Sequence, residues 1–216
     1  RTEVIGLDVE NGRVTGVRTN HGNIKSPQVL IAAGGYGVLV ARLAGIRLPT
    51  ETLTIQAMVS QPVKPFLHHV VSSGAYHCYC NQRLKGELVT GAHMDPWPNY
   101  TTRVTARYLK HPAQALTEIL PCLRGLRFMR IWSGLADMTP DMAPVIFGNN
   151  PIEGLYVDAG WGYFGFKSGP IAGRYLAEYM ARAQCPDILK PFDPVRFEQH
   201  RLQGETAAPI YYGPWN

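Results

Sequence analysis

Leu155-Tyr156-Val157-Asp158-Ala159 runs into Gly160-Trp161-Gly162-Tyr163-Phe164-Gly165-Phe166-Lys167-Ser168-Gly169-Pro170, and an amphipathic run follows as far as Met180. The stretch predicts a strand, a glycine-dense aromatic loop and a helix. Gly169-Pro170 is expected to open the helix, because the N–H that proline lacks has no partner in a first turn. Ile171, Tyr175, Leu176, Tyr179 and Met180 then form its buried stripe. Gly160, Gly162 and Gly165 match G-x-G-x-x-G, but a dinucleotide fold needs further strands and an acidic residue after that turn. From Cys185-Pro186-Asp187 to Asn216 the chain has proline breaks and no β-rich run. No mononucleotide-binding half follows, so the loop must meet a ligand in another way. A glycine loop entering a helix offers unpaired backbone N–H groups and the positive end of a dipole, which favours an anion. Lys167 adds a full charge. The plainer reading is a tight strand-to-helix turn whose glycines permit close packing.

Outward from that loop, the 216 residues suffice for a sizeable core in one or two domains. A composition of 45% apolar and 17% charged residues is that of a soluble α/β or α+β protein. The net charge of +5 is spread along the chain, clustering only at Arg124, Arg127 and Arg130, which argues against nucleic-acid or membrane binding. No run approaches the ~18 apolar residues of a membrane span, and no leader pattern opens the chain at Arg1. A cytoplasmic location is expected. Cys78, Cys80, Cys122 and Cys185 lack zinc-site spacing and read as reduced thiols, the first two as small packing residues on one strand face.

Residues 2 to 33 alternate or run apolar around Asn11-Gly12 and Asn20-His21-Gly22-Asn23, which predicts a β-meander. Its last run ends in Gly34-Gly35-Tyr36-Gly37, with a short helix after it. Leu53 to Phe66 and Ala75 to Ala92 are β-like, the second turning at Lys85-Gly86, and suit an antiparallel sheet. Thr101 to Leu123 has helical spacing, with a break or kink at His111-Pro112. Arg127 to Ala136 and Val145 to Phe147 return to strand, and Asn149-Asn150 turns the chain into 155–159.

In this order the elements resemble the D-amino-acid-oxidase-like flavoprotein family, and within it the β subunits of heteromeric sarcosine oxidases. The resemblance is carried by Val14 to Thr19 with Val29 to Gly35, by Gln61-Pro62-Val63-Lys64-Pro65 and by Lys85 to Ala92. It continues through Trp132-Ser133-Gly134-Leu135-Ala136-Asp137-Met138-Thr139-Pro140-Asp141 and Gly154 to Gly169. It implies an α+β fold: an antiparallel substrate-binding sheet plus the closing part of a glutathione-reductase-like FAD domain, without that domain's amino-terminal βαβ unit. Residues 1–50 and 149–184 are expected in the FAD domain, 51–148 in the substrate sheet and 185–216 in a tail. The chain reads as the later part of something longer.

The implied activity is oxidation of the C–N bond of a secondary amino acid such as sarcosine, amine to imine, with electrons passing to oxygen or a partner's cofactor. Dehydrogenases of opines, proline or other N-substituted amino acids are the near alternative; a non-catalytic assembly subunit without flavin is the distant one. The implied cofactor is FAD, with FMN as a further candidate at a subunit interface. The implied partners are the missing segment or other subunits. Lys167 corresponds to the lysine that pairs with the substrate carboxylate. Gly160, Gly162 and Gly165 would let the backbone approach the flavin edge beside Phe166, Tyr163 and Phe164 would line the cavity, and Ala33 and Gly34 would close the FAD site. The helix start would face the N1/C2=O edge, where reduced flavin carries negative charge. His93 is a candidate acid, base or donor, with a satisfied loop histidine as the alternative. His68-His69 point to opposite strand faces and make no metal site. Asp137 and Asp141 read as turn and capping groups. Gly134 stands where related monomeric enzymes attach FAD to cysteine, so any FAD is expected to be non-covalent.

Overall fold

The computed structural model describes residues 1–162 and 164–203, with the side chains of Ala92, His93 and Arg107 also outside the described set. The chain forms two compact units: Arg1–Thr52 with the described chain from Ala136 onward, and Leu53–Leu135. Both mix helices with antiparallel sheet.

In the first unit, strands β1 (Val4–Glu10), β2 (Arg13–Thr19) and β3 (Gly22–Lys25) make a three-stranded antiparallel sheet. Asn11 and Gly12 join β1 to β2 with φ of 50° and 77°, the left-handed pair that a tight hairpin requires. The meander stops there. Strand β4 (Val29–Ile31) leaves it and, after helix α1 (Gly37–Arg42) and the long excursion through the second unit, pairs in parallel with β11 (Leu155–Ala159). β11 in turn pairs antiparallel with β10 (Val145–Gly148). Local alternation cannot distinguish a meander's fourth strand from one that waits for a partner 126 positions later in the chain (Val29 to Leu155).

β10 and β11 are buried on both faces, and residue parity divides their side chains. Val145, Phe147, Leu155, Val157 and Ala159 join Val14, Ile31, Val38 and Ala41 in one core cluster. Ile146 and Tyr156 face the other way, onto Ala172, Leu176 and Tyr179 of helix α3 (Gly165–Arg182). The stripe on α3 is therefore Ala172, Leu176 and Tyr179, with Tyr175 and Met180 at its margin and Ile171 half exposed.

The second unit holds most of a five-stranded sheet in the order β6 (Val71–Ser73), β7 (Cys78–Gln82), β8 (Glu87–Met94), β5 (Glu51–Pro62), β9 (Phe128–Met138), the start of β5 up to Thr52 and the end of β9 from Ala136 belonging to the first unit. Gly86, at φ 99°, turns β7 into β8. Helix α2 (Ala106–Ile119) is shorter than the expected span and runs through Pro112 without breaking. Thr105 caps it by accepting from the Tyr108 N–H. Leu116 meets Cys80, Leu88 and Leu123, and Ala115 meets Cys78, so both cysteines pack as small apolar groups. No described helix is long and apolar enough to cross a membrane.

Candidate functional site

Because β4 and β11 are parallel neighbours, Leu155 against Val29 and Val157 against Ile31, both leave the sheet at the same end. β4 exits through Ala33 into a 3-10 turn, Gly34–Tyr36, and β11 exits through Ala159 into Gly160. The two exits are close: a Cβ on Gly37 would lie 3.7 Å from the Ala159 Cβ. Ligands of α/β sheets collect at the carboxyl ends of parallel strands, and two glycine turns meet here.

The loop's hydrogen bonds differ from the sequence expectation. The Gly160 N–H donates to Asp137 Oδ2 at 2.5 Å, and the Gly162 N–H donates to the Asp137 carbonyl at 2.9 Å. These glycine amides face the protein. Gly160 has φ 75°, and a Cβ there would lie 2.5 Å from Thr139 Cγ2; Gly162 has φ 50°, and its Cβ would lie 2.9 Å from Met138 Sδ. Conformation and close packing both call for glycine. Trp161 turns its indole N–H onto Asp158 Oδ1 at 2.6 Å. Burial pushes the Asp137 carboxyl up, against the pull of the Gly160, Gly162 and Trp161 amides. Burial also raises Asp158, with the indole bond opposing it and the Asp137 charge adding to it.

Helix α3 begins at Gly165, five residues earlier than Pro170, which lies inside it. Phe164 occupies the N-cap, and the first intrahelical bond runs from the Ser168 N–H to its carbonyl. Proline tolerates this place because only one carbonyl, that of Phe166, loses its intrahelical donor, and it does so beside the helix end. The earlier start moves Phe166 and Lys167 from the loop into the first turn. No side chain caps that turn, so the N–H groups of Gly165, Phe166 and Lys167 have no intrahelical acceptor. Lys167 is exposed, makes no ion pair among the described residues, and holds its ammonium 4.9 Å from the centre of the Phe164 ring. Phe166 is fully exposed. At Gly34, φ is 50° and nothing lies within 4 Å of where a Cβ would stand. Three main-chain donors, a dipole and an ammonium at one helix start suit an anionic group.

The structure thus gathers Ala33, Gly34, Gly160 and Gly162 at one sheet end, with Phe164, Gly165, Phe166 and Lys167 following directly. Tyr163 lies outside the described residues. His93 is on β8 of the other unit, and its side chain is likewise outside them. No group of three or more metal-ligating side chains occurs among the described residues. Sequence reasoning missed Asp137 as the anchor of the loop. It also missed Arg196, whose guanidinium pairs with Asp141 at 2.7 Å, the side chains being 3% and 1% exposed. The signal for Asp137 was its place in the Trp132–Asp141 block; Arg196, in a polar tail, gave none. Asp141 does cap its turn, accepting the Ala143 N–H at 3.2 Å.

The model of the FAD dependent oxidoreductase family, DAO, matches residues 1–179, and the chain belongs to that family. It is 40% identical over 210 residues to sarcosine oxidase subunit beta of Rhizobium meliloti, covering 96% of this chain and 50% of the relative. It is 37% identical over 207 residues to sarcosine oxidase subunit beta of Rhodobacter capsulatus, with the same coverage. Among solved structures, L-proline dehydrogenase from P. horikoshii superposes with a TM-score of 0.86 at 31% identity, over 94% of this chain and 55% of that one. The chain spans about half the length of the curated relatives it matches.

Proposed function

We propose that this chain forms part of a flavin-dependent oxidoreductase that oxidises the C–N bond of a secondary amino acid, sarcosine or proline. The observation that carries the reading is the meeting of two glycine turns at the carboxyl ends of adjacent parallel strands, one of them running into an uncapped helix N-terminus that bears Lys167. The family supplies FAD. When bound, FAD accepts the hydride that leaves the carbon next to nitrogen. The residues of this chain bind and orient. The first-turn amides of α3 would hold the anionic edge of the cofactor, and Lys167 would fix the substrate carboxylate as a point charge. Holding the carboxylate turns a loose encounter into one oriented for reaction. Gly134 carries no thiol, so the FAD is held here without a covalent bond. The relatives named as beta subunits support partner subunits in a hetero-oligomer.

The test uses a polypeptide of the relatives' full length that carries this segment. Its visible spectrum should show flavin bands that acid precipitation releases into the supernatant, and sarcosine or L-proline should bleach them without oxygen. The faster of the two substrates names the reaction. A full-length preparation that binds no flavin overturns the reading and leaves the assembly subunit in its place.

A further inference from the structure

The loop between β11 and α3 is held from behind by a carboxylate that belongs to neither element. Asp137, at the end of β9, is 6% exposed, yet its side chain and its own carbonyl take the N–H groups of Gly160 and Gly162. Both glycines are in the left-handed region, and the hydrogen bonds fix that conformation at two points. Phe164 then donates its N–H to the Trp161 carbonyl, and α3 starts at the next residue. These bonds tie Asp137 to the residues that lead into the first turn of α3.

We propose that Asp137 is a positioning residue for the flavin and carboxylate site: it holds Gly160 and Gly162, and through them the first turn of α3 with Lys167. The role rests on the function proposed above, but the hold itself is geometric. What matters is an oxygen at the Oδ2 position and not the negative charge. Asparagine keeps that oxygen; glutamate keeps the charge and moves it by a methylene.

The experiment compares Asp137→Asn, Asp137→Glu and Asp137→Ala in a full-length polypeptide. One readout is amide hydrogen exchange at Gly160 and Gly162, which needs no cofactor; the other is FAD affinity by fluorescence quenching. Asp137→Asn should stay within about threefold of the unsubstituted protein in both. Asp137→Glu and Asp137→Ala should speed exchange at Gly160, whose N–H the side chain holds, by about 100-fold, change Gly162, held by the main-chain carbonyl, less, and weaken FAD by about tenfold or more. If Asp137→Ala does not fold, the contrast between asparagine and glutamate carries the test. Asparagine as damaging as glutamate, or glutamate as harmless as asparagine, overturns the proposal. If the unsubstituted protein binds no FAD, the function fails, and exchange at Gly160 and Gly162 still decides the role of Asp137.

Discussion

Lys167 is a cation held over the Phe164 ring, with no carboxylate paired to it among the described residues. In a full-length polypeptide, Lys167→Ala should raise the KM for an amino-acid substrate while leaving flavin affinity nearly unchanged. The expected loss is about 1.5–3 kcal/mol, the range for a hydrogen bond to a charged group. Steady-state kinetics beside a flavin titration check this, and unchanged constants remove Lys167 from the site. Gly148 tests packing. A Cβ there would lie 2.1 Å from Tyr156 Cδ1, and Tyr156 is wholly buried. Its ring meets Tyr179 edge to face at 5.2 Å, while the Tyr179 hydroxyl donates to the Gly148 carbonyl at 2.7 Å. Neither ring has room to yield. Gly148→Ala should cost about 1–3 kcal/mol or more, read as a fall in Tm of about 2–4 °C per kcal/mol for a chain of this size.

At the scale of elements, the short helix α4 (Val195–Glu198) bolts the segment after α3 onto the 139–143 turn. Arg196 gives Nε and Nη2 to Asp141, Nη2 also to the Ala143 carbonyl and Nη1 to the Phe192 carbonyl, so its donors are largely matched. Asp141 also accepts the Gln203 N–H at 2.9 Å. Burial alone would raise the Asp141 carboxyl, but Arg196 with the Gln203 and Ala143 amides holds it below the usual carboxylate range. The sign follows from the linkage. A depressed carboxyl contributes full stability above its unfolded value, about 3.9, and loses it as pH falls through the lower folded value. Urea midpoints should therefore drop on acidification below about pH 4, and that acid slope should shrink in Arg196→Ala. The variant leaves a buried carboxylate unpaired and should cost about 3–5 kcal/mol at neutral pH. Denaturation curves of the two proteins across pH 2 to 7, a range of about five units chosen to bracket that value, decide it.

For the whole molecule, the features proposed to face the flavin are a helix N-terminus and the ends of two strands, which is part of what a dinucleotide needs. The 216-residue chain by itself is therefore expected to bind FAD weakly, with a Kd above about 1 μM, or 8 kcal/mol. A polypeptide of the relatives' full length should bind below that value. Fluorescence titration of both checks the prediction, and submicromolar binding by the isolated chain contradicts it.

Much of this was readable from residues alone, because the information was local. Alternation and Asn11-Gly12 determined the first hairpin, an apolar run determined β11, and the glycines with Lys167 marked the loop. Where a choice depended on distant partners, tertiary structure decided. β4 looked like one more meander strand until β11 offered a parallel edge. Pro170 looked like a helix start, but in the folded chain the helix begins at Gly165, after a loop held by the bonds from Gly160 and Gly162 to Asp137. Asp141 caps its turn as its sequence suggested, but its buried pairing with Arg196, 55 positions away, could come only from the fold. Spacing and propensity express only what neighbouring residues do to one another. Sheet pairing, buried charge pairs and the direction of a loop amide are settled by groups that meet only when the chain is folded.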